Sequence, residues 1–392
     1  MNEPVCIIRF YPYPQESHVK RDAECLLDAG YRVDVIAARA RGQKAREVVD
    51  GIHVYRLPIA PGHGSALGYF FRYYAFFVLS FFAISWLQLT RRYRVIEVDT
   101  MPDFLVFATF LPKLLGTRIV LYLFEAMPEL FSARRNLADE TAVVKTLKAI
   151  ERWAVKYSDH VFTVNEMHRE LVSRRSSSGD KVSVVLNVPD EKRLAVSVEA
   201  APDKGQFLLM YHGTIAVRYG VHTAIKALGQ LRDNIEGIRL VVLGNGDYKS
   251  EIVSLTRELE LEKHVEFIDW VPYEKLIEWI SKADIGLVPF IIDGYTDLML
   301  PNKLFEYVGL SVPVVSARTK AIRDYYNEGC LAFFEPGNEN DLARAVVDLY
   351  QDPAKRKELS KNAKELYETH HRWGIMKERY VGVYRRLLSA KE

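Results

Sequence analysis

The sequence predicts two doubly wound α/β domains, each a parallel sheet wrapped by helices, facing each other across a cleft. Three observations carry this expectation. Short β-branched runs alternate with helical patterns along nearly the whole chain, as βαβ units require. The alternation breaks once, in Asn187–Gln206, where Pro189, Pro202 and scattered charges replace periodicity. The length of 392 residues, 49% hydrophobic and 27% charged, suits two globular domains. The expected boundaries are a first domain over 1–190, a linker over 191–206, a second domain over 207–370, and a closing helix over 371–392 that crosses back to brace the first domain.

The first-half strands are expected at Val5–Phe10, Arg32–Ala37, His53–Leu57, Val95–Val98, Arg118–Phe124, His160–Val164 and Val182–Leu186. Between the first two, Val19, Ala23, Leu26 and Leu27 mark one helical face, and Gly30 stops that helix. Tyr74–Leu89 is almost wholly apolar and aromatic, with Arg72 before it and Arg91, Arg92 and Arg94 after it. It falls short of the roughly 20 residues of a spanning helix, which leaves two readings. One is a core helix; the other is a helix over 74–94 whose outer face makes peripheral contact with the inner membrane. The second half repeats the scheme with strands at Phe207–Tyr211, Arg239–Leu243, Val265–Ile268, Ile285–Pro289, Val312–Ser316 and Leu331–Phe334. The helices between them include His222–Leu231, Tyr248–Leu259 and Tyr273–Ser281.

Composition excludes several classes. With 53 basic and 51 acidic residues the chain carries a formal charge of +2, too balanced for a nucleic-acid partner. Cys6, Cys25 and Cys330 are scattered, so neither a disulfide framework nor a thiolate metal site is expected. Met1 leads straight into an apolar strand with no leader-like segment, and a cytoplasmic location is the expectation. The histidines show no ligand spacing, and no metal or cofactor is expected. The first strand is not followed by a Gly-x-Gly-x-x-Gly fingerprint, which argues against a nicotinamide enzyme.

The motif with most chemical content is Leu300–Val315. Pro301 suits a first helical turn. Asn302 and Lys303 then put an amide and a cation beside the free N–H groups of Asn302–Leu304, an anion site. Glu306 lies one turn on and faces the same ligand, as a ribose would need, and Gly309 lets the helix stop. An ordinary crossover with a surface Lys–Glu pair is the alternative. Two other strand ends join this rim. In Tyr211–Gly220, Gly213 permits close backbone approach and Thr214 and Arg218 can donate to phosphate. In Leu243-Gly-Asn-Gly-Asp247, Gly244 and Gly246 are small residues before a helix; taken alone, a plain turn explains them better than a ligand site. In the first half, Glu125 directly follows an apolar strand and either points into the cleft or caps a helix. Asp99, Met101 and Asp103 share a neighbouring loop, with Asp103 the expected N-cap of a helix beginning at Phe104. Glu16 and His18 follow the first strand.

These motifs resemble the retaining family 4 glycosyltransferases of GT-B architecture, from Val5 to about the last helix. Pro301-Asn-Lys-Leu-Phe-Glu-Tyr307 with Gly309, and Tyr211-His-Gly-Thr214 with Gly220, carry the resemblance; Pro102-Asp103, Met127-Pro-Glu129 and Asn187-Val-Pro-Asp190 support it. The resemblance implies transfer of a sugar from a nucleotide-diphosphate sugar, UDP-linked by expectation, to a hydroxyl acceptor with retention and no obligatory metal. Cell-surface polysaccharide or glycolipid assembly, with a lipid-linked or saccharide acceptor, is the implied setting. The donor would lie on the second domain, against Gly213, Thr214, Arg218, Gly244, Gly246, Val271, Asn302, Lys303, Leu304 and Glu306. The acceptor would lie on the first, near Glu16, Asp99 and Met101. Glu125, Arg218 and Asp297 would carry the chemistry. The chain departs from the family at Leu298, where an acid is usual and Asp297 is adjacent. It departs again at Thr214 and Tyr219, where cations are usual, and at Phe124, which replaces a His. A nucleotide-sugar 2-epimerase-like isomerase and a nucleotide-binding pseudoenzyme that partners another transferase share this architecture and stay open.

Overall fold

A computed structural model of the chain describes residues 2–62, 66–138, 140–194 and 205–389. Most of the expected linker, 195–204, lies outside the described residues, as do the last three residues of the expected closing helix. The chain divides into two compact units: Met1–Asn187 with Met376–Glu392, and Val188–Ile375.

The first unit is built on strands β1 (Pro4–Pro12), β2 (Arg32–Ala38), β3 (Arg46–Val49), β4 (Ile52–Leu57), β5 (Val95–Asp99), β6 (Arg118–Leu123), β7 (His160–Thr163) and β8 (Val182–Val184). Their order in the sheet is β3-β4-β2-β1-β5-β6-β7-β8, and the direction of winding reverses between β1 and β5. All pairs are parallel except β3–β4. Strand β3 is absent from the all-parallel expectation. Its cause is local: Asp50 and Gly51 have φ of 50° and 84°, the two left-handed residues of a tight hairpin turn. The central strands are buried on both faces, Ile7, Ile8, Val35, Ile36 and Ile96 being fully covered.

The apolar run becomes a helix over Ala66–Arg91, ten residues longer than Tyr74–Leu89. Its stretch Gly68–Arg91 has the length and composition to cross a membrane. One side is core: Phe76 packs on Phe10 with ring centres 4.7 Å apart, and Ile84 and Leu87 are buried below it. The other side is exposed. Residues from Met376 onward in the last helix, Trp373–Ser389, pack into this same unit. Tyr380 and Tyr384, one turn apart, each donate a hydrogen bond of 2.9 Å to the buried Glu97 carboxylate.

The second unit carries β9 (Phe207–His212), β10 (Ile238–Leu243), β11 (Val265–Ile268), β12 (Ile285–Val288), β13 (Val314–Ala317) and β14 (Ala332–Phe334). The order is β11-β10-β9-β12-β13-β14, all parallel, with the reversal between β9 and β12. At such a reversal the loops leaving the two strands diverge, and a crevice opens at their carboxyl ends.

Candidate active site

In the second unit the loops after β9, β10 and β12 are drawn together by glycine. A Cβ on Gly244, whose φ is +141°, would stand 2.0 Å from the Gly213 carbonyl oxygen. One on Gly246 would stand 2.1 Å from that of Ile215, and one on Gly220 would stand 1.6 Å from that of Pro289. The stacked loops are tied by Gly213 N donating to Leu243 O at 2.9 Å and Ile215 N to Asn245 O at 3.0 Å. The Gly-x-Gly after β10 is therefore a close-approach device. It is not a plain turn.

The helix after β12 spans Asn302–Gly309 with Pro301 at the N-cap. Lys303 is not a surface cation. Its ammonium is buried over the Tyr211 ring, 3.7 Å from the centre, with Tyr219 and Phe290 at 5.8 and 5.9 Å. It also lies 3.3 Å from where a Gly213 Cβ would stand, so that glycine leaves the cation open to a ligand. Burial lowers Lys303 to about 7, opposed by Glu306. Burial raises Glu306 to about 7, opposed by Tyr273, Lys303 and Arg193. Glu306 faces His212 across 3.5 Å, and burial together with Lys303 keeps that imidazole neutral. Arg193 stacks over Tyr273 at 4.2 Å. The structure thus gathers Gly213, Lys303 and Glu306 as expected neighbours and adds His212, Tyr273 and Arg193. His212 was legible as a polar end to an apolar strand. Arg193, placed by sequence in the linker, had no signal.

Other expected donor residues fare differently. Asn302 is exposed at the helix start, but the Leu304 amide is already committed to Pro301 O at 3.1 Å. Gly309 does not supply the left-handed residue that ends the helix; Ser311 does, with φ 61°. Gly309 is small because Leu194 packs 2.7 Å from its Cβ position. Thr214 is exposed and its carbonyl accepts from the Tyr211 hydroxyl at 2.5 Å. Val271 lies half-buried after β11, two residues before Tyr273. Arg218 is held by Asp293 at 3.2 Å, and Asp293 also accepts from the amides of Tyr295 and Thr296. Asp297 is engaged elsewhere: it binds the Lys320 amide at 2.9 Å and ammonium at 2.6 Å, fastening the start of helix Lys320–Tyr325.

In the first unit the carboxyl ends of β1, β5 and β6 hold a charged cluster around Arg9. Arg9 grips Glu16 bidentately at 2.6 and 2.7 Å, and Glu16 lies 3.1 Å from His18 Nε2. Burial lowers His18 to about 3, so it is neutral; its ring rests on Phe124 with centres 4.0 Å apart. Arg9 is further favoured in its charged form by Asp99 and Glu125. Arg9 was visible as the one charge inside an apolar strand, yet sequence reasoning passed over it. Glu125 is half-buried beside this cluster; Ala126, with no side-chain cap, forms the N-cap of helix Met127–Arg135. Asp99 is wholly buried, and burial with neighbouring Glu97 raises its carboxyl, so it lies beneath the rim instead of on it. Met101 is half-buried on the next loop. Asp103 is not an N-cap: Pro102 is, and Asp103 is buried as the first residue of a 3-10 turn, Asp103–Thr109. Among the described residues no cluster of His, Cys, Asp and Glu has the makings of a metal site.

Two family profiles match successive parts of the chain: "Glycosyl transferase 4-like domain" over residues 15–187 and "Glycosyl transferases group 1" over residues 193–366. The chain belongs to the group 1 glycosyl transferases. Its fold is GT-B, as the solved structures bear out. Sucrose-phosphate synthase from Thermosynechococcus elongatus superposes with a TM-score of 0.80 at 19% identity, covering 100% of both chains. Anabaena HepE in complex with UDP and glucose gives 0.73 at 13% identity, covering 98% of this chain and 100% of that one. Glycogen synthase from Mycobacterium tuberculosis is 23% identical over 252 residues. That match covers 64% of this chain and spans 59% of the glycogen synthase.

Proposed function

We propose that this group 1 glycosyl transferase moves a sugar from a nucleotide-diphosphate sugar to a hydroxyl acceptor, with retention and without an obligatory metal. The observation that carries the reading is the buried Lys303–Glu306 pair beside Gly213 at the reversal point of the second sheet. Loss of the nucleotide diphosphate builds negative charge on its leaving oxygen. Lys303 can answer that charge from an apolar pocket, where an ion pair is worth more than in water. Glu306, flanked by Tyr273 and His212, is suited to the two hydroxyls of a ribose. Arg218 is positioned through Asp293 as a second cation. A same-face displacement, in which the acceptor hydroxyl attacks C1 as the diphosphate leaves, asks chiefly for charge stabilisation and orientation. Glu125 is the candidate to take the acceptor proton. UDP is the proposed nucleotide, supported by HepE having been solved with UDP and glucose. The proposed setting is the cytoplasmic face of the membrane, where a lipid-linked or saccharide acceptor is extended into polysaccharide or glycolipid.

The test is release of nucleotide diphosphate from a panel of UDP-, GDP- and ADP-sugars, with membrane extract as acceptor and EDTA in parallel. Turnover with one donor, indifferent to EDTA and reduced roughly a hundredfold or more by Glu125→Gln, is expected. No nucleotide binding tighter than millimolar, or unchanged binding in Glu306→Ala, would overturn the reading.

A further inference from the structure

Three helical segments of the first unit lie side by side and leave an apolar surface uncovered. Helix Ala66–Arg91 packs on the turn Asp103–Thr109, where Phe77 meets Phe104 edge-on at 5.8 Å. Helix Ala142–Tyr157 packs on the same turn from the other side, where Phe107 meets Tyr157 at 5.2 Å. Phe70, Phe71, Phe82 and Trp86 of helix Ala66–Arg91, Leu114 beyond the turn and Trp153 of helix Ala142–Tyr157 all face outward. Phe82 is 64% exposed and Trp86 63%, which water disfavours on this scale.

The charge around this surface is predominantly basic, although the exposed Glu140 carboxylate meets Lys145 at 2.7 Å. Lys145, Lys148, Arg152 and Lys156 recur every three or four residues along the helix that bears Trp153, forming a basic stripe. The single acid of that helix, Glu151, is turned inward and bound to Arg175 at 2.7 Å. Helix Ala66–Arg91 contains no acid, and Arg92 and Arg94 stand exposed at its end. Aromatics flanked by an excess of lysine and arginine match an anionic lipid surface.

We propose that this face docks the protein on an anionic bilayer, with helix Ala66–Arg91 lying in the headgroup plane. The helix is long enough to cross, but Phe76, Ile84 and Leu87 are buried in the unit's core, and crossing would strip that side away. The docking surface deepens the membrane-presented acceptor of the proposed function and rests on it only for the identity of the acceptor.

Flotation of the full chain with vesicles of phosphatidylcholine, with and without phosphatidylglycerol, tests it. The protein is expected to float with anionic vesicles at low salt and to be released by high salt. Lys148→Glu with Arg152→Glu should weaken partitioning about twentyfold or more, at about fivefold for each basic residue. Phe82→Ser with Trp86→Ser should weaken it at least about tenfold. Tryptophan emission should shift to the blue on vesicle addition and be quenched by brominated acyl chains, with the Trp86→Ser protein losing part of that signal. Folding of each variant is checked by circular dichroism and nucleotide titration. Failure of the folded protein to float with anionic vesicles would overturn the proposal. So would wild-type flotation by both double variants, or a concentration-dependent dimer that both abolish. Flotation without nucleotide binding would leave docking standing and sink the transferase reading alone.

Discussion

Gly246→Ala isolates the contact that holds the loops after β9 and β10 together. The added Cβ would sit 2.1 Å from the Ile215 carbonyl oxygen and 2.7 Å from its carbon, so the two loops must part by about 1 Å. Backbone on both sides leaves no flexible side chain to yield. Overpacking of this kind costs about 1–3 kcal/mol. Parting also stretches the bonds from Gly213 N to Leu243 O and from Ile215 N to Asn245 O, each worth about 1 kcal/mol net. With about half of each bond lost, a total of about 2–4 kcal/mol follows. At a urea dependence of roughly 2–3 kcal/mol per molar, the unfolding midpoint of the second unit should fall by about 1 M. Nucleotide affinity should weaken about tenfold or more, because Gly213 borders Lys303. Gly294→Ala is the control, since nothing lies within 4 Å of its Cβ position. The two observables are the urea midpoint and the dissociation constant by calorimetry. If Gly246→Ala matches wild type in both, close loop approach is not what this glycine provides.

Three further outcomes are expected. Lys303 titrates near 7 when unliganded, so binding a diphosphate at pH 8 should take up about one proton. Calorimetry in buffers of different ionisation enthalpy should record this uptake, and Lys303→Met should lose it. Glu97 is raised by burial and by Asp22, so the native state keeps a proton that the unfolded chain loses near pH 4.5. Its contribution to stability is therefore greatest at low pH and falls as pH rises through the folded value. Thermal melts of Glu97→Gln across that range should show a flatter pH dependence than wild type, and an equal slope would contradict the assignment. Gly229→Ala, in helix Val221–Leu231 with 3.9 Å of clearance to Leu261, should stabilise by about 0.5–1 kcal/mol in the same urea assay.

The alternation of β-branched runs with helical faces by itself determined thirteen of the strands, their parallel pairing and the two doubly wound sheets. A buried parallel strand is written locally, as a continuous apolar run between turn signals. Strand β3 escaped because Arg46–Val49 alternates between exposed and half-buried residues and forms no buried apolar run, though Asp50-Gly51 marked its turn. The rim of the second sheet was legible wherever one strand end supplied both backbone and side chain, as at Gly213 and the Lys303–Glu306 helix. Tertiary structure decided what those residues face. It put Lys303 over the Tyr211 ring, tied Arg218 to Asp293, drew Asp297 to Lys320, and brought Arg193 and Tyr273 toward Glu306 from distant segments. It also decided which side of helix Ala66–Arg91 meets the core and which meets solvent. Composition shows that a segment is apolar throughout, whereas burial of one side follows from long-range packing that no local pattern encodes.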